Sequence, residues 1–189
     1  YQWGKAAFPA RRTSLVLWNH GDGWRANSLT QDTRKAVCWD ETELDALDLS
    51  ELGDGLAQMT QGGTQPIDML AFDACLMAMI EVDTQMQPYV RVRVASEETE
   101  PSTGYPYARI LSDLQANPGW DAPEVAHAIV TDYHETYHGE TQSVVDLGPS
   151  QPALVIAVDG LAQALLAHRT EYAVVANARL KAQTFQGEN

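Results

Sequence analysis

The apolar positions of this chain follow two periods. Ser14-Leu-Val-Leu-Trp18 and Leu70-Ala-Phe72 are continuous runs rich in strand formers, and Tyr89-Val-Arg-Val-Arg-Val-Ala95 alternates apolar with basic residues, which also predicts a strand. Between the first two runs, Leu49, Leu52, Leu56 and Met59 mark one face of a helix. After Phe72 the apolar pattern pauses at Asp73-Ala74-Cys75 and resumes with helical spacing toward Glu81. A strand, a sharp turn and a helix are predicted there, with the cysteine at the junction. Met86-Gln-Pro88 ends that helix. Further on, the pattern predicts a helix from about Pro123 to Gly139, a strand over Ser143 to Leu147, an amphipathic segment over Ala153 to His168 and a helix over Glu171 to Gln183.

A strand, a crossover helix and a second strand of one sheet run parallel, with a right-handed connection. The strands that end in His20-Gly21 and in Cys75 therefore finish at the same edge, where open α/β sheets place their sites. Neighbouring strands lie roughly 5 Å apart, so an imidazole and a thiol far apart in sequence are a candidate base and nucleophile. A cysteine in the first turn of a helix faces free N–H groups and the positive end of the peptide dipoles, which favour a thiolate. Without the histidine, Cys75 reads first as a small buried hydrophobe, the commoner fate of a free cysteine. The third strand ends on Ser96-Glu97-Glu98, with Glu100 close behind. Together with Asp73 these carboxylates predict an acidic pocket suited to a guanidinium or ammonium group.

Three blocks, taken together, resemble the clostripain family of cysteine peptidases. They are Trp18-Asn-His-Gly-Asp-Gly-Trp24, then Phe72-Asp-Ala-Cys-Leu-Met77, then Ala95-Ser-Glu-Glu98 followed by Pro101, Gly104, Tyr105 and Tyr107. Weaker similarity continues through Ser143-Val-Val-Asp-Leu147 to Ala178-Arg179, so the resemblance covers nearly the whole chain. It implies an α/β, caspase-like three-layer fold with a mostly parallel sheet flanked by helices. It also implies a His and Cys dyad and cleavage after Arg, less certainly Lys. Carried onto this sequence, His20 is the general acid/base, Cys75 the nucleophile, and the amides of Gly21 and Cys75 the oxyanion donors. Asp73, two residues before the nucleophile, becomes the first choice for the basic side chain's partner, ahead of Glu97, Glu98 and Glu100. Asp22 stands where the family usually has a small residue. The loop Ser102 to Tyr107 would wall the substrate cleft, or else serve as a tight link to the next helix. Processing between His and Cys is implied; Arg34 or Lys35, in a polar and charged segment, is a natural self-cleavage site that would give two chains of one precursor, the alternative being an uncut surface loop. The chemistry requires no cofactor; calcium enters only because the type member of the family depends on it, and no calcium loop is identifiable. Family members normally carry strands upstream of the histidine strand, which implies a single peptidase domain over 1–189 that is a fragment or a processed chain. A secreted or cell-envelope location of bacterial type is implied in the same way.

Composition adjusts this picture little. The net charge of −14, from 26 acidic and 12 basic residues, disfavours nucleic-acid phosphates and favours cationic peptides as partners. There is no apolar run of spanning length and no signal-peptide pattern, which predicts a soluble chain. The two cysteines do not make a disulfide framework, since pairing Cys38 with Cys75 would block the nucleophile. One motif argues for other chemistry. His134-Glu135-Thr-Tyr-His138 is a literal H-E-x-x-H, which on a helix would offer two zinc ligands and a base, with His127 seven residues earlier on the same face. Against it, Gly139 predicts the end of the helix directly after His138. A zinc peptidase and an inactive caspase-like module that binds basic peptides are the alternatives to the thiol enzyme.

Overall fold

The structure is a computed structural model that describes residues 1–24, 36–40, 42–43, 45–148 and 150–185. The described chain forms two compact units, Tyr1–Gly148 and Pro149–Asn189. In the first, a short helix α1 (Gln2–Ala7) leads into strand β1 (Ser14–Trp18). A small antiparallel ribbon follows, β2 (Ala36–Asp40) paired with β3 (Asp45–Asp48), and then helix α2 (Leu49–Met59). Strand β4 (Ile67–Asp73), helix α3 (Ile80–Met86), strand β5 (Val90–Ala95), helices α4 (Tyr107–Ala116) and α5 (Ala122–Thr136), and strand β6 (Ser143–Asp146) complete the unit. The second unit holds helix α6 (Ser150–Ala167), a 3₁₀ turn at Arg169–Glu171 and helix α7 (Tyr172–Lys181).

The main sheet has the order β1-β4-β5-β6, with β1, β4 and β5 parallel and β6 antiparallel to β5. The histidine and cysteine strands are therefore immediate neighbours, with Trp18 paired to Asp73 at their shared carboxyl end. β4 is buried along its length because both of its faces are covered, which explains its continuous apolar sequence. Leu70 and Phe72 pack with Leu52 and Leu56 of α2 and Val82 and Met86 of α3. Met69 and Ala71, joined by Val92 and Val94, pack on the opposite face with Ile110 of α4 and Ala126, Ile129 and Tyr133 of α5. Two layers of helices thus enclose the sheet, as the three-layer expectation required.

The crossover helix forms where its spacing predicts. Asp48 caps it by accepting from the Glu51 N–H while the Glu51 carboxylate accepts from the Asp48 N–H, a reciprocal capping box. α5 is started in the same way by Asp121 and Glu124, with Pro123 in its first turn. The β2–β3 ribbon has no counterpart in the sequence reading, which assigns no strand between β1 and the crossover helix.

The helix expected to begin at Cys75 begins instead at Ile80. The reason is local. Leu76 has φ +61°, which no right-handed helix accepts, and the segment is tied by hydrogen bonds to the chain after β5. The Leu76 N–H donates to the Glu98 carbonyl at 3.1 Å and the Ala78 N–H to the Ser96 carbonyl at 2.9 Å. Those bonds take the amides that a first helical turn would leave free, so Cys75 lies outside any helix N-terminus and receives no dipole from α3.

Candidate active site

At the carboxyl edge of β1 and β4 a cleft of about 420 Å³ is lined by Trp18, Asn19 and His20 on one side and Asp73, Ala74 and Cys75 on the other. Thr99, Glu100, Pro101, Ser102 and Gly104 close it from the chain after β5. The two loops that carry His20 and Cys75 touch through glycine. A Cβ on Gly21 would lie 2.5 Å from the Cys75 carbonyl oxygen and 3.1 Å from both Ala74 Cβ and Met77 Cγ. One on Gly23, whose φ is +59°, would meet the Met79 sulfur at 2.5 Å and the Leu76 carbonyl at 2.7 Å. Only glycine permits this approach. Within the described residues, no hydrogen bond runs from the Gly21 or Cys75 amide to another residue, and the Cys75 N–H faces its own thiol.

The thiol of Cys75 is half-buried and accepts from the Glu100 N–H at 3.2 Å. Burial is the main influence that pushes this thiol above its ordinary range; the Glu100 N–H opposes it, and the charges of Glu100 and Asp22 add to it. Asp22 is itself pushed up by burial, against the opposing influence of His20. Burial thus favours the thiol over the thiolate, and thiolate formation calls for a base rather than a helix terminus. His20 is exposed at the rim, its carbonyl accepting from the Cys38 N–H at 3.0 Å. Cys38 is free and directs its thiol to the Trp18 carbonyl at 3.7 Å, beneath the histidine loop rather than toward Cys75 as a disulfide.

Asp73 is 3% exposed and fixed by three contacts. The Tyr105 N–H lies 3.1 Å from each of its oxygens, and the Tyr107 hydroxyl donates to Oδ2 at 2.6 Å. Glu100 joins it at the cleft, with Gln142 Nε2 donating to Oε1 at 3.0 Å and Oε2 buried without a partner. Burial and the neighbouring Asp73 push the Glu100 carboxyl up to about 9. Glu97 and Glu98 do not line the cleft. Glu98 serves the nucleophile loop through its carbonyl, and its Oε1 accepts from the Thr99 N–H at 3.0 Å. Arg34 and Lys35 lie outside the described residues. Sequence reasoning missed Gln142 and the anchoring roles of Tyr105 and Tyr107; the tyrosines beside Gly104 were a usable signal, whereas Gln142 carries none.

The H-E-x-x-H segment is not arranged as a zinc site. α5 ends at Thr136, so His138 falls beyond it and the two histidines do not share a helical face. Glu135 is ion-paired with Arg109, which also reaches Asp132 at 3.2 Å. Among the described residues no three His, Cys, Asp or Glu side chains converge as a metal site requires. No helix among the described residues is long and apolar enough to cross a membrane.

Fold and cleft together define an α/β protein with a thiol and an imidazole at the carboxyl edge of neighbouring parallel strands. The family whose model matches residues 2–185 is the clostripain family, and the chain belongs to it. It is 33% identical over 126 residues to clostripain from Hathewaya histolytica, a match that covers 61% of this chain and 23% of that protein. A secreted C11 cysteine protease from Bacteroides thetaiotaomicron, solved in complex with an irreversible peptide inhibitor, superposes with TM-score 0.65 at 22% identity, covering 83% of this chain and 45% of that one. An inactive zymogen C11 protease from Parabacteroides distasonis gives TM-score 0.57 at 22% identity, covering 77% and 37%. The chain thus spans less than half the length of each of these relatives.

Proposed function

We propose that this protein is a cysteine endopeptidase that cuts on the carboxyl side of Arg, and less readily of Lys, in peptide and protein substrates. The observation that carries the reading is one cleft lined by a half-buried thiol, an imidazole and a buried, anchored carboxylate. His20 takes the proton of Cys75 as substrate enters, and the thiolate attacks the scissile carbonyl. The amides of Gly21 and Cys75 receive the oxyanion, His20 protonates the leaving amine, and water releases the acyl-enzyme. Asp73 receives the basic side chain. Its carboxylate matches a guanidinium fork better than a point-like ammonium, which favours Arg.

The same specificity would cut the chain's own segment at Arg34 or Lys35, leaving His20 and Cys75 on separate chains. Export from the cytoplasm is part of this reading, supported by the secreted relative from Bacteroides thetaiotaomicron.

Hydrolysis of matched fluorogenic peptides ending in Arg, Lys, Asp or Leu tests the proposal, with wild type and Cys75→Ala assayed beside a thiol alkylator and a zinc chelator. Arg-selective cleavage lost with Cys75→Ala and with alkylation, and indifferent to the chelator, is expected. Cleavage that survives Cys75→Ala, or tight binding of Arg peptides by the wild type without turnover, would overturn it.

A further inference from the structure

The cleft holds two carboxyls where one would suffice to receive a cation, and they are unequally supported. Asp73 accepts from the Tyr105 N–H and the Tyr107 hydroxyl, two donors that suit a carboxylate. Glu100 has a single donor, Gln142 Nε2 at 3.0 Å, while its buried Oε2 has no partner. Both carboxyls line the same cleft, and the charge of Asp73 acts on Glu100 across it. Two carboxylates in one desolvated site cannot both stay charged without a cation between them. The titratable groups that face Glu100 are Asp73 at the end of β4, Cys75 on the following loop, Tyr105 and Tyr107 at the start of α4, and Tyr133 from α5. Across the cleft stands His20, and no described Lys or Arg lines it.

We propose that Glu100 carries a proton while the cleft is empty and releases it to solvent when a guanidinium or ammonium side chain enters between the two carboxyls. The carboxyl of Glu100, held up to about 9 in the empty site, supports this. The inference rests on the reading that the cleft receives a basic side chain and adds what that reading lacks, a proton exchanged for the cation. Two consequences follow. Binding of a basic ligand releases close to one proton at pH 7.5. Affinity tightens about tenfold per pH unit until Glu100 titrates, whereas a neutral isostere such as citrulline gains nothing. Discrimination between a cationic and a neutral side chain therefore widens as pH rises, because only the cation is met by a second carboxylate.

The test is calorimetric titration of N-acetylagmatine, which has a guanidinium but no scissile bond, into the wild type, Glu100→Gln and Asp73→Asn. Buffers of different protonation enthalpy at pH 7.5 count the protons released, and the pH dependence of the wild-type Kd gives a second reading that needs no variant. Release of about one proton by the wild type, and of none by Glu100→Gln with binding retained, is expected; Asp73→Asn should lose binding. Binding by the wild type with no proton released, or with the same release from Glu100→Gln, would overturn this inference alone. Failure of the wild type to bind N-acetylagmatine would overturn the reading of the cleft and this inference with it.

Discussion

Gly21→Ala perturbs the contact on which the whole site depends. The added Cβ would sit 2.5 Å from the Cys75 carbonyl oxygen, where ordinary van der Waals contact begins at 3.4 Å. The two loops must part by about 0.9 Å, and the second and third contacts, both at 3.1 Å, block a sideways escape. Overpacking of this kind costs about 2 kcal/mol, which in a chain of this size lowers Tm by roughly 4–8 °C. The kinetic effect should be larger. A shift near 1 Å between base and nucleophile costs on the order of 100-fold in kcat. KM for an Arg peptide should change less than kcat, since the Asp73 carboxylate is held by Tyr105 and Tyr107 rather than by the histidine loop. Gly55→Ala, in the interior of α2 with nothing within 4 Å of its Cβ, is the control and should stabilise by about 0.5–1 kcal/mol. Thermal unfolding and steady-state hydrolysis of an Arg fluorogenic peptide read both variants. A Gly21→Ala protein with wild-type kcat and Tm would refute the close approach of the histidine and cysteine loops.

Other consequences concern the frame and its titration. Arg93, 3% exposed, makes a bidentate pair with Asp83 at 2.7 and 2.9 Å, so Arg93→Met strands a buried carboxylate and should cost about 3–5 kcal/mol in denaturant unfolding. Replacing both partners by apolar residues should recover much of that loss; no recovery would show that the pair matters for another reason. The Glu100 carboxyl ordinarily titrates near 4.5 but is held up to about 9 in the fold, so between those values the folded chain keeps a proton that the unfolded chain has lost. Stability should therefore fall as pH rises through that window, with a slope approaching 1.4 kcal/mol per pH unit, and Glu100→Gln should flatten it. A raised thiol also sets an alkylation profile. The rate of Cys75 alkylation by iodoacetamide should climb about tenfold per pH unit from pH 6 to 8. A plateau already reached near pH 6 would mean a thiolate preformed in the empty site.

Much of the sheet was legible because it is local in origin. Apolar runs separated by one helical face permit few topologies, and the right-handed crossover rule places His20 and Cys75 at one edge. That the two strands are immediate neighbours needed the structure. The spacing from Leu76 to Glu81 reads as helix from sequence, yet backbone bonds to Ser96 and Glu98, about twenty residues away, decide its path. Arg93 lies on an alternating strand that gives no reason to bury a cation; its partner Asp83 sits on a helix packed over that strand. The H-E-x-x-H pattern fails for a comparable reason, since a helix ending at Thr136 removes the geometry that gives the motif meaning. Glu100 was among four acidic choices, and its bond to Gln142, 42 residues on, separates it from Glu97 and Glu98.

The most direct measurement is peptide mapping by mass spectrometry after reaction with a peptidyl-arginine chloromethyl ketone. A single adduct on Cys75 and none on Cys38 is expected, slowed at least tenfold by His20→Ala and abolished by Asp73→Asn, while iodoacetamide still labels Cys75 in the Asp73 variant. An adduct on Cys38, or equal labelling of the wild type and Asp73→Asn by the arginine reagent, would contradict it.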